Sequence, residues 1–207
     1  FSRDVYFNPG KHATRAQFVT VLGREYERES GTTIARSGNA GYSDVVSGSY
    51  YSRYVVWGKE IGIVKGYSSS QFGTNDDVTR EQMVTFLYRL AEYSGFTDQD
   101  SADSTKMKAF PDSGNVSSYA VTPMAWAINV GIIIGDDNGK LRPLDSCTRA
   151  EMATMFSRYK TYYDTHAANV SAAVLAGQME SAAETGGVTQ DAETTETAEL
   201  QPENEAA

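Results

Sequence analysis

Three Thr-Arg pairs carry the chemistry most readily legible in this chain. Thr14-Arg15, Thr79-Arg80 and Thr148-Arg149 stand seven and eight residues after an apolar residue, Phe7, Phe72 or Leu141, and a further arginine, Arg24, Arg89 or Arg158, follows at offset 17. A threonine in that setting is a helix N-cap, so the arginine after it takes the first helical position, beside backbone N–H groups that lack a partner within the helix. Guanidinium and helix N-terminus converging there would hold one anion, and a carboxylate or phosphate on a sugar suits the planar fork of arginine donors. A lone arginine in this place is more simply solvated or paired with an aspartate; recurrence in three registered copies favours the binding reading.

Other residues recur with the second and third pairs. Asp44, Tyr50, Trp57, Gly62 and Gly66 answer Asp112, Tyr119, Trp126, Gly131 and Gly135. Trp57 and Trp126 offer a flat face for a sugar ring with an indole N–H for a hydroxyl, although an aromatic among Val and Ile at helical spacing reads equally as core. Asp44 and Asp112 can accept donors from a sugar, or can cap and turn the chain. Gly66 and Gly135 permit close approach of a ligand, or of a turn needing positive φ.

The elements that must position these residues follow from the same register. Gln17, Gln82 and Glu151 sit three places after the threonines and complete capping boxes, while Ala13, Val78 and Cys147 face Phe18, Met83 and Met152 as hydrophobic staples. Cys147 is then a small apolar staple residue. Apolar residues recur at helical spacing after each cap, as in Met83, Phe86, Leu87 and Leu90. A first helix is predicted from Tyr54, Val55, Trp57, Ile61 and Ile63 in one copy and from Met124, Ala125, Trp126, Ile128 and Ile132 in the other, ending near the glycines. The unit is therefore helix, Gly-containing loop and capped helix, with a period of about 65 to 70 residues. The chain opens at Phe1, inside a repeat, which reads as a fragment or a processed form.

Charge is unevenly placed. The formal net charge is −9, and after Lys160 there is no Lys or Arg, while nine Asp and Glu residues follow. The repeat region is formally neutral. From about residue 184 the chain has few apolar anchors and reads as an acidic disordered tail or linker; residues 161–183, with Val170, Val174 and Leu175 among alanines, read as an extra helix that fills the place of the first helix missing from repeat 1. One cysteine excludes an intrachain disulfide without choosing a compartment.

The combination of Tyr42-Ser43-Asp44 and Phe110-Pro111-Asp112, a Trp on the first helix, Gly62-Ile63-Val64-Lys65-Gly66 and Gly131-Ile132-Ile133-Ile134-Gly135, and the Thr-Arg-Ala-Glu-like box resembles S-layer homology repeats. The resemblance assigns residues 1–30 to the second half of repeat 1, 41–95 to repeat 2 and 109–160 to repeat 3. It implies an all-α fold: three repeats, the first truncated, with pseudo-threefold symmetry around a central helix bundle. It also implies a non-enzymatic, extracellular module at the bacterial cell wall, without cofactor, that binds an acidic, pyruvylated secondary cell-wall polysaccharide in grooves between repeats and takes part in self-association within a surface layer. Arg15, Arg80, Arg149, Trp57, Trp126, Asp44, Asp112, Gly66 and Gly135 are the site residues on this reading. The intact Ala-Glu of the box stands only at Ala150-Glu151. The first repeat lacks the Trp and the Gly-Ile-x-x-Gly loop, which weakens the groove they would line.

Competing classes have less to stand on. His12 and His166 have no zinc-ligand spacing, no nucleophile elbow is present, and Asp136 to Lys140 reads as a turn, since Lys140 takes the place of an oxygen ligand of a calcium loop. A neutral repeat region lacks the basic field for nucleic acid, and no membrane span is legible. The alternatives are an extracellular protein-docking scaffold, using Tyr50, Tyr51 and Tyr119, and a peptidoglycan-binding anchor.

Overall fold

The computed structural model describes residues 7–97 and 102–185, with side chains through residue 167. Its elements are α1 (Arg15–Ser30), α2 (Ser52–Glu60), α3 (Arg80–Tyr93), the short α4 (Thr105–Lys108), α5 (Val121–Asn129) and α6 (Arg149–Thr185). The chain is all-α among the described residues, where β-pairing amounts to isolated bridges such as Thr14 to Asp77 and Thr79 to Ser146.

All three capped helices start as their sequences dictate. Thr14 and Thr79 accept from the N–H of Gln17 and Gln82, whose side chains reach back to the cap N–H. The Thr148 Oγ accepts from Glu151 N–H at 3.2 Å, and Glu151 Oε2 accepts from Thr148 N–H at 2.9 Å. Such caps each contribute about 0.5–2 kcal/mol. The staple residues Ala13, Val78 and Cys147 are fully buried.

The residues just before the caps join the repeats to one another. Ala13 N–H donates to Cys147 O at 3.0 Å, Cys147 N–H to Val78 O at 2.8 Å, and Val78 N–H to Ala13 O at 2.9 Å, a closed circuit through all three repeats. Just outside it, Arg15 N–H donates to Asp76 O, Arg80 N–H to Asp145 O and Arg149 N–H to Lys11 O, at 2.9, 3.0 and 2.8 Å. Each helix start thus leans on the loop of the next repeat, and the third leans on the first.

Apolar faces complete the packing. Phe18 of α1 meets Phe86 of α3, and Lys160 of α6 pairs with Glu25 and Glu29 of α1. The two shorter helices, α2 and α5, set Trp57 against Tyr26 and Trp126 against Tyr88, Tyr159 and Tyr162. Fully burying a large apolar side chain contributes about 1.5–3 kcal/mol, and Trp126, Tyr54, Phe72 and Met124 are all of this kind.

Residues 161–183, read from the sequence as an extra helix, are backbone of α6 itself. The chain divides into two units between Ala167 and Ala168. The side chains of Val170, Val174 and Leu175 and the acidic stretch after Thr185 lie outside the described residues.

Candidate functional site

The arginine after each cap reaches sideways into the neighbouring repeat. Arg15 Nε donates to Phe72 O at 3.0 Å, Arg80 Nε to Leu141 O at 2.8 Å and Arg149 Nε to Phe7 O at 2.8 Å, so the three bonds are made to the same position of successive repeats. Arg15 and Arg80 are 3% and 6% exposed, while Arg149 is half-buried. Beside each arginine lies a groove.

The groove between the first and second repeats, about 300 Å³, is lined by Arg15, the loop residues Lys65, Gly66 and Tyr67, Gln82, Phe86 and Arg89 of α3, and Tyr119 from the third repeat. Arg15 forms its floor. Its Nη1 donates to Gln82 Oε1 at 2.9 Å and its Nη2 to Lys65 O at 3.0 Å, and its guanidinium lies 4.5 Å from the Tyr67 ring centroid and 4.8 Å from that of Phe72. Burial lowers the Arg15 pKa while the surrounding tyrosines and Asp76 oppose that; an arginine so placed keeps its proton at neutral pH. Its hydrogen bonds go to neutral oxygens, so its charge projects into a partly dehydrated groove where a guest anion feels it more strongly than in water.

Two more grooves follow the same plan with parts missing. That between the second and third repeats, about 400 Å³, has Arg80, Arg158, Gly135 and the loop around Asp136, but among the described residues no tyrosine from repeat 1 walls it. That between the third and first, about 620 Å³, has Arg149, Arg24, Gln17, Lys160 and Tyr50, while the stretch before Phe7 that would supply its loop lies outside the described residues. Only the first groove carries every component among the described residues.

The structure separates the residues expected from sequence to touch ligand. The guanidiniums of Arg15, Arg80 and Arg149 line the three grooves, and Gly66 and Gly135 line the first two. The expected partnership of arginine with free helix N–H groups is not what is found. The first backbone donors of α1, α3 and α6 are taken by carbonyls of the neighbouring repeat, including Thr74 O, Pro143 O and Pro9 O at the second helical position. These helix starts are joints, and only the side chain faces the groove.

Trp57 and Trp126 are 4% and 0% exposed and belong to the core, with the Trp126 indole N–H meeting no partner among the described residues. Asp44 clasps the chain where it returns from the loop. Its Oδ1 accepts from Phe72 N–H at 2.8 Å and its Oδ2 from Gly73 and Thr74 N–H at 2.7 and 2.8 Å. Desolvation pushes its carboxyl upward, and these donors outweigh it and hold the pKa below the usual range. Asp112 does the same for Leu141 and Arg142 at 2.9 and 2.8 Å. Both aspartates hold groove walls in place. Gly66 is fixed by space, since a Cβ there would fall 2.3 Å from Gln71 O and 2.6 Å from the Tyr42 ring.

Sequence reading missed three contributors. Arg89 and Arg158, half-buried, donate to Ile63 O and Ile132 O at 3.3 and 3.2 Å and stand at the groove rims; their shared offset with Arg24 was the available signal. Glu81, buried, accepts from Ser117 N–H at 3.0 Å, Ser117 Oγ at 2.7 Å and Tyr119 Oη at 2.8 Å, and so holds the tyrosine that walls the first groove. Ala16 and Ala150 occupy its position in the other repeats. That departure from the repeat pattern was visible, and its meaning lay in a loop 36 residues on.

A helical repeat module with arginine-lined clefts between its units is the class this geometry defines. Residues 41–84 and 109–153 match the S-layer homology domain, and the chain carries tandem repeats of that kind. It is similar to an amylopullulanase of Thermoanaerobacterium thermosulfurigenes, 30% identical over 73% of this chain and 8% of that protein. It is also similar to the surface-layer 125 kDa protein of Lysinibacillus sphaericus, 29% identical over 73% of this chain and 12% of that protein. An S-layer protein of Bacillus thuringiensis subsp. finitimus is 23% identical over 81% of this chain and 19% of its own length. The chain thus spans about a tenth of the length of the first two, and the enzyme-named relative is matched over a small part of itself. No described helix is long and apolar enough to cross a membrane.

Proposed function

We propose that this chain is a non-covalent cell-wall anchor, extracellular and bacterial, that captures an acidic, pyruvate-bearing secondary cell-wall polysaccharide in the grooves between its repeats. The hydrogen-bond circuit through Ala13, Cys147 and Val78 supports a pseudo-threefold arrangement of the repeats around a shared centre. The observation that carries the binding role is the first groove: a buried arginine with neutral partners, two further cations at Lys65 and Arg89, and two tyrosines, Tyr67 and Tyr119, among its lining residues. Relatives named as surface-layer proteins share the repeats, which fits a module placed on the outside of the cell.

In this reading the carboxylate of the glycan settles over the Arg15 charge and pairs with Lys65 and Arg89, while the ring packs between the tyrosines. The third-to-first groove contributes a weaker site through Arg149 and Arg24. Two sites on one chain engaging one polymer raise the effective concentration of the second contact, so retention exceeds the affinity of either groove.

Purified cell-wall sacculi test the proposal. They should sediment the chain, and sacculi stripped of their secondary polymer should not. Undiminished retention on stripped walls would assign the ligand to peptidoglycan or wall protein instead.

A further inference from the structure

The first two grooves are built alike and charged differently. Where the first has Tyr67, Gly73 and Gln82, the second has Asp136, Arg142 and Glu151 at the corresponding positions. These three are in contact. Glu151 Oε1 accepts from Arg142 Nη2 at 2.5 Å and from Arg80 Nη1 at 3.3 Å, while Arg142 Nε lies 3.1 Å from Asp136 Oδ2. Arg142 reaches in from a left-handed backbone position, φ 50°, where its counterparts are Gly73 and Asn8; a non-glycine residue is uncommon there.

The consequence is a difference in available charge. Arg80, Arg142 and Arg158 line the second groove together with Asp136, Asp137 and Glu151, so its cations are matched by the protein's own carboxylates. Arg15, Lys65 and Arg89 line the first, and no Asp or Glu is among its lining residues. A guest carboxylate entering the second groove would have to displace a paired anion or sit beside it, and like charges held close in a partly buried cleft repel.

We infer that the third residue of each capped helix decides whether a groove admits an acidic ligand: Gln82 leaves the first groove open, and Glu151 closes the second by holding Arg80 and Arg142 in internal pairs. The inference rests on the reading of the grooves as acidic-glycan sites and adds which groove is silent. Glutamine and glutamate both complete the capping box in this chain, at Gln17, Gln82 and Glu151, so exchanging them alters charge while keeping the helix start.

The test is calorimetric titration of the wild-type chain, Gln82→Glu and Glu151→Gln with a saccharide bearing one pyruvate ketal, with melting temperatures confirming that each variant folds. Gln82→Glu should weaken binding about tenfold or more, and Glu151→Gln should add one bound saccharide per chain. Unchanged affinity in the first and unchanged stoichiometry in the second overturn the inference. A wild-type chain that ignores the saccharide defeats the parent reading alone; inorganic phosphate then replaces it as probe, Glu151→Gln must still gain and Gln82→Glu still lose affinity, and equal affinities across the three proteins overturn the inference.

Discussion

Arg15 Nη1 donates to Gln82 Oε1 at 2.9 Å across the boundary between the first two repeats, and the same oxygen takes the Thr79 cap N–H at 3.4 Å. One amide therefore ties a helix start to the floor of the neighbouring groove. Structure and recognition share that residue, so the substitutions that report on each have to be chosen apart.

Arg15→Ala removes both. It strips partners from Phe72 O and Lys65 O, and leaving the buried Phe72 acceptor unpaired costs about 1–3 kcal/mol. The expected outcome is a lower melting temperature together with loss of wall binding, read by thermal unfolding and by sedimentation with sacculi.

Lys65→Ala isolates recognition. Its side chain is exposed and its backbone carbonyl, the group that Arg15 uses, survives the change. Stability should stay within about 0.5 kcal/mol of wild type, while retention on walls falls and the remaining binding becomes less sensitive to salt.

Glu81→Gln unties the wall of the first groove. Hydrogen bonds to a charged group contribute about 1.5–3 kcal/mol, and this carboxylate accepts three, from Ser117 N–H, Ser117 Oγ and Tyr119 Oη. Chemical denaturation should show a loss in that range, larger than for Tyr119→Phe, which removes a single donor.

Acid should loosen the molecule through its loop clasps. At Asp112 desolvation acts upward, and backbone donation from Leu141 and Arg142 prevails and lowers the pKa; at Asp136 donation from Lys140 N–H leads. A carboxyl with a lowered folded-state pKa stabilises the fold above its unfolded pKa and surrenders that stability as pH falls through the folded value. Denaturation midpoints should therefore be level from these groups above about pH 5 and drop below about pH 4, and Asp44→Asn and Asp112→Asn should each flatten the drop.

Cys147 should be inert in the native state. Burial pushes its thiol up to about 12, so a thiol-reactive dye at neutral pH should label it only after unfolding, since the thiolate is the nucleophile.

The helices, caps and staples were legible in the sequence because they rest on residues three to five apart. Thr79 and Gln82, three residues apart just ahead of an apolar run, announce the start of α3. The site was less legible, because its chemistry depends on which repeat leans on which. Arg80 and Glu151 are 71 residues apart, and nothing local says that the box closing one helix neutralises the arginine opening another. The arginines at offset 17 were in register but had no partner to give them meaning until Ile63 O and Ile132 O were placed beside Arg89 and Arg158. The tryptophans illustrate the reverse case. Their ring chemistry permitted stacking on sugar, and the aromatic neighbours that bury them, Tyr26, Tyr88 and Tyr162, come from other helices.

The central claim is that an acidic glycan lodges in the first groove, over Arg15. Nuclear magnetic resonance titration of the chain with a pyruvate-ketal saccharide tests it most directly. Shifts should concentrate at Gly66, Tyr67, Arg89 and Tyr119, and fade when the ketal is removed; shifts that leave these residues still, or that persist without the carboxylate, would contradict it.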